Sequence, residues 1–119
     1  MSELSPREIL ADWFLTFVAR ISRNKGGPQK FVAAMGVPES PIYTKCETLR
    51  EANDKVLDRL RHDGVLRDGV DSLEVCRLVG AVALVSEQTG MGQDALRSML
   101  DIVIDGLVVP VSIDGAATT

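Results

Sequence analysis

Residues 73–85 read LEVCRLVGAVALV and residues 95–107 read ALRSMLDIVIDGL. Each stretch is long enough for a helix, and each is apolar on more than one face. A helix that is apolar around its girth has to be covered on every side. A single domain of 119 residues is not expected to cover two such helices alone. The surplus is read as a subunit interface.

The chain length suits one domain with one core. Apolar residues make up 45% and charged residues 25%, the mix of a water-soluble globular protein. A net charge of −4 argues against a protein that binds nucleic acid through its overall charge. Arg20, Arg23, Lys25 and Lys30 are a local exception. They gather around a helix end, where cations interact favourably with terminal carbonyls. The opening MSELSPREIL lacks the charge pattern of a secretion signal, and no apolar run reaches the ~18 residues of a membrane span. Cys46 and Cys76 are too few for a disulfide framework, so the expected setting is a reducing cytoplasm.

Helical spacing recurs along the chain and strand-like alternation does not, so the expected class is all-α with five helices. Ser5-Pro6-Arg7-Glu8 is a capping box with proline at the first helical position. Ile9, Leu10, Trp13, Phe14, Phe17, Val18 and Ile21 form the apolar face of helix one. Asn24-Lys25-Gly26-Gly27 stops it. Helix two is short, from Pro28 to Gly36, with Phe31, Val32 and Met35 as its apolar side. Val37-Pro38-Glu39 is a linker. Ser40-Pro41 opens helix three, which runs to Gly64. Its charged face (Glu47, Arg50, Glu51, Lys55, Asp58, Arg61) reads as solvated. Asp71 caps helix four, with Glu74 as its box partner, and that helix runs to about Glu87. Gly90-Met91-Gly92 turns the chain into helix five, about Gln93 to Leu107. Residues 1–109 are expected to be one domain, with 110–119 a loose tail.

Groups for catalysis are sparse. No phosphate loop, H-E-x-x-H or G-x-S-x-G pattern occurs, so the chain is not expected to be an enzyme, and neither a metal nor another cofactor is expected. His62 is the one histidine. Together with Asp58 it supplies two potential ligands, short of a metal site. Asp101 and Asp105 flank an apolar stripe and read as an interface edge or a helix cap. Asn53 lies on the apolar side of helix three. There a polar amide is either satisfied inside the core or offered to a pocket. The five aromatics (Trp13, Phe14, Phe17, Phe31, Tyr43) all fall in helices one to three, while helices four and five are aliphatic. Rings facing Cys46, Leu49 and Cys76 suit a pocket with irregular walls as well as they suit an ordinary core.

This order of elements resembles the C-terminal effector-binding and dimerisation domain of tetracycline-repressor (TetR) family regulators. The likeness is carried by SPREILADWFLTFVARI, NKGGPQKFVAAM, LRHDGVLRDGVDSLEVCRLVGAVAL and ALRSMLDIVIDGL, which together span about Ser5 to Leu107. It implies a bacterial, cytoplasmic regulator of transcription. Its last two helices would pair with those of a second subunit in a four-helix bundle, and a small apolar or amphipathic effector would bind among the other helices. The candidate effector wall is then Trp13, Phe17, Phe31, Tyr43, Cys46, Leu49, Asn53 and Cys76. The candidate interface is Leu78, Val82, Val85, Leu96, Met99, Leu100, Val103 and Ile104. The family's N-terminal helix-turn-helix lies outside the 119 residues, so the expectation is a domain cut from a longer regulator that makes no direct contact with nucleic acid. The competing reading is a stand-alone helical dimerisation protein that binds neither ligand nor DNA.

Overall fold

A computed structural model describes residues 4–34 and 43–109; the side chains of residues 43–46 lie outside that description, as do Met35, Gly36, the 37–39 linker, the Ser40-Pro41 helix start and the 110–119 tail. Among the described residues five helices follow one another: α1 Pro6–Ile21, α2 Gly27–Ala34, α3 Tyr43–His62, α4 Ser72–Thr89 and α5 Gln93–Leu107. The all-α expectation holds.

Helix α1 starts as its sequence dictates. The Ser5 side chain accepts from the Glu8 N–H at 3.2 Å, and the Glu8 carboxylate accepts from the Ser5 N–H at 2.8 Å. The backbone bond to Ser5, then its side-chain bond, hold the Glu8 carboxyl below its ordinary pKa of 4.5. At the other terminus two glycines serve different purposes. Gly26 takes φ of 78°, where a side chain is strained. Gly27 is needed for space, because a Cβ there would land on the Ile21 carbonyl oxygen. Glu87 of α4 accepts from the Gly26 N–H at 3.0 Å and fixes the corner onto the bundle.

Helix α4 packs against each of the other four helices, as α1 also does. Val75, Cys76, Val79, Gly80, Val82 and Ala83 are its buried face. Gly80 admits α2 closely: a Cβ at that position would sit 3.0 Å from Cε2 of Phe31. Asp71 is the N-cap by position, but its side chain makes no capping bond, so the expected Asp71–Glu74 box is corrected. Gly90, at φ of 65°, ends the helix in the left-handed region.

Helix α5 lies on α1 and α4. Arg7 of α1 clamps it from outside, pairing with Asp105 at 2.5 Å and Asp101 at 3.2 Å. The hydrogen bond that Arg7 donates to Asp105 is the leading reason why the Arg7 pKa is raised. The two aspartates therefore belong to a tie between helices of one chain. Past α5, the Arg67 N–H donates to the Leu107 carbonyl at 2.8 Å and the Val109 N–H to the Val65 carbonyl at 2.9 Å. This short antiparallel bridge, Leu66 opposite Val108, ties the end of the bundle to the α3–α4 connection.

Two outcomes test this description. Gly27→Ala should destabilise the domain by about 1–3 kcal/mol, a cost of overpacking a fixed backbone, read as a lower urea midpoint with an unchanged slope. Because the Glu8 pKa is depressed on folding, its contribution is present above pH 4.5 and is lost as pH falls through the lower folded value. Glu8→Gln should remove that part of the acid sensitivity in pH-dependent thermal melts.

Candidate functional site

Trp13 and Phe17 of α1 and Phe31 of α2 form one layer. Trp13 meets Phe17 edge to face with ring centroids 5.8 Å apart, and Phe17 meets Phe31 in the same way at 5.4 Å. Phe17 and Phe31 are buried, as are Leu49 and Cys76. Phe31 rests on Gly80, so the layer is seated on α4 and not separated from the aliphatic half. The side chains of Tyr43 and Cys46 lie outside the described part.

Asn53 is wholly buried (0% exposed), and its amide is satisfied on both sides. Its Oδ1 accepts from the Trp13 indole N–H at 2.7 Å, while its Nδ2 donates to the Ser72 hydroxyl at 2.9 Å and the Ser72 carbonyl at 3.3 Å. Of the two roles open to this residue, the structure displays the satisfied amide. It joins α1, α3 and the first turn of α4 at one point. A buried polar group left without a partner costs about 1–3 kcal/mol, so the three helices are held in a single register.

The described clefts lie elsewhere. One, of about 700 Å³, opens between the end of α1, the end of α4 and the start of α5, with Val18, Glu87, Met91 and Arg97 among its walls. A second, of about 450 Å³, continues between α1 and α5, past Asp12, Leu15 and Asp101. None of the six candidate effector residues whose side chains are described lines either cleft.

The candidate interface divides. Leu96, Leu100 and Ile104 are 5%, 2% and 1% exposed within the single chain. Helix α1 covers much of the girth assigned to a second subunit, so these three are core residues with almost no surface left to bury. Val82 is nearly covered at 9%, and Met99 and Val103 are half-buried against the core. Leu78 and Val85 stand out at 51% and 44% exposed, and so does Ile102 at 70%, which the sequence reading passed over. The signal was its place in the Ala95, Met99, Ile102, Gly106 series at spacings of three and four.

Elsewhere, Asp58 pairs with Arg61 at 2.6 Å, and the Arg61 guanidinium also donates to the Val70 carbonyl at 3.0 Å. No group of three His, Cys, Asp or Glu among the described residues is placed to hold a metal ion. No helix among them is long and apolar enough to cross a membrane.

Residues 5–109 match the family described as Transcriptional regulator SbtR-like, C-terminal domain. The chain belongs to that family, as a TetR-type C-terminal domain. No curated protein and no solved structure matches it.

A double-mutant cycle checks the Asn53 junction. Trp13→Phe should cost about 1–3 kcal/mol by stranding the Asn53 oxygen. Trp13→Phe combined with Asn53→Leu should cost less than the sum of the two single changes by at least about 0.5 kcal/mol in urea unfolding. Strict additivity would mean that the bond carries no coupling.

Proposed function

We propose that this domain dimerises through α4 and α5 and senses a small apolar or amphipathic effector for a regulator of transcription in the bacterial cytoplasm. The observation that carries the proposal is the apolar face left over after the chain has built its own core. Leu78, Val82 and Val85 on α4 follow one another at helical spacing, and so do Met99, Ile102 and Gly106 on α5. The two helices pack side by side. No charged residue occurs in the α5 series, and Gly106 has open space where a side chain would be. Such a face suits close apposition of a second pair of helices, with a two-fold axis making one patch complementary to itself. Leu78, Val85 and Ile102 are its proposed anchors.

Effector sensing is assigned to the aromatic layer around Trp13, Phe17 and Phe31, with Leu49, Asn53 and Cys76 beneath and Tyr43 and Cys46 on the neighbouring turn of α3. The layer is filled by the chain's own side chains. An effector binding there takes over contacts made by the protein itself, and so binds one conformation better than another, the requirement for any switch. The same filled layer favours a second reading, a helical dimerisation module that binds no ligand.

The two parts separate experimentally. Ile102→Glu with Leu78→Glu should leave the circular dichroism spectrum unchanged and convert a sedimenting dimer to a monomer; a variant that remains dimeric contradicts the interface. For sensing, Trp13 is the sole tryptophan, so its emission reports on the layer directly. Titration with anilinonaphthalene sulfonate and a panel of apolar acids and amines should give at least one saturable change in Trp13 emission. A flat response to the whole panel supports the ligand-free module.

A further inference from the structure

The two clefts form one feature. They share Leu15 and Arg97 and together follow the α1–α5 seam from Ala11 to Ser22 on one side and from Gln93 to Ile104 on the other. At 1.5 Å per residue each side is about 16 Å long, three turns of helix. The floor is apolar, with Ala11, Leu15, Val18, Ala83, Leu96 and Ile104. The walls are mainly acidic. Asp12, Asp94, Asp101 and Glu87 line the groove against the single cation Arg97. Of these, Asp101 is held by Arg7 and Glu87 by the Gly26 N–H, each through one oxygen.

We propose that this groove is a docking site for a basic amphipathic helix supplied by another polypeptide. Three features select that occupant. The length fits a helix of three or more turns. The half-open, apolar floor suits a stripe of leucine-like side chains laid in at spacings of three and four. The acidic walls suit lysine or arginine on both edges of that stripe, and they disfavour an acidic helix or a nucleic-acid backbone. The site is separate from the proposed dimer face. Asp94, Arg97 and Asp101 lie on the flank of α5 toward α1, whereas Ala95, Ile102 and Gly106 lie on its other flank. Occupation of the groove and dimerisation are therefore independent properties.

The test uses the full chain and a fluorescein-labelled helical peptide built from leucine and lysine, with the leucines on one face. Polarisation should show saturable binding that weakens as salt rises. The same peptide with glutamate for lysine should not bind. Asp12→Lys with Asp94→Lys, both at exposed positions, should weaken binding by at least about tenfold, the equivalent of 1.4 kcal/mol. Ala19→Trp, which places a ring in the groove, should also weaken it. Amide chemical shifts of the unsubstituted chain keep the site assignment testable if a variant misfolds: on adding the peptide, changes should concentrate at residues 11–22 and 93–104. Binding of the glutamate peptide with equal strength, undiminished binding by the charge-reversed chain, or shift changes lying outside the seam would each overturn the proposal. Repeating the titration on the Ile102→Glu, Leu78→Glu chain should give the same affinity, so that a failed dimer reading and a failed groove are told apart.

Discussion

The structure depends on the burial of α4 by four neighbours at once. A helix with apolar residues on most of its girth is stable in water only when other elements cover that girth. Here α1, α2, α3 and α5 cover most of it and leave Leu78 and Val85 exposed, and several of these contacts leave a mark on the sequence. Gly80 is small because Phe31 of α2 presses against it. Ser72 stands at the first turn because the Asn53 amide donates to it. Glu87 reaches back to the α1–α2 corner. With α4 in place, α5 has two supports, α1 and α4, and its third side carries Ile102 into solvent.

This arrangement explains why the apolar surplus is smaller than the sequence implies. Composition alone counts Leu96, Leu100 and Ile104 with Leu78 and Val85 as one oily surface. Helix α1 contributes a long apolar face of its own (Leu10, Phe14, Phe17, Val18, Ile21), and α5 lies along that helix as well as α4. Arg7 reinforces the contact from outside, through Asp101 and Asp105. What remains is a narrower strip, centred on Leu78, Val85 and Ile102.

Much of the fold was legible because it is written in local signals. The Ser5–Glu8 box, the glycine stops at Gly26, Gly64 and Gly90, and helical periodicity set the helix ends to within about two residues wherever the chain is described. The failures are of a different kind. The Asp71 cap was assigned from a pattern that side-chain geometry does not fulfil. The bridge between residues 65–67 and 107–109 involves too few residues to alternate. Which side of α5 faces its own chain depends on contacts between residues about ninety positions apart, such as Arg7 with Asp101, and no local window contains both. Asn53 was visible as an oddity, but its partners Trp13 and Ser72 emerge only from the packing of three helices. The acidic groove was invisible for the same reason, since Asp12 and Asp94 come to line one cleft only through the packing of α1 on α5.

The proposed dimer has a second copy covering the strip left on α4 and α5. Its most direct test is an isotope-filtered NMR experiment on an equal mixture of carbon-13-labelled and unlabelled chains, which detects contacts between molecules only. The dimer requires intermolecular contacts at the methyl groups of Leu78, Val85 and Ile102, with Leu100 and Ile104 silent. Intermolecular contacts confined to other surfaces, or their complete absence at concentrations where the chain stays folded, would contradict it.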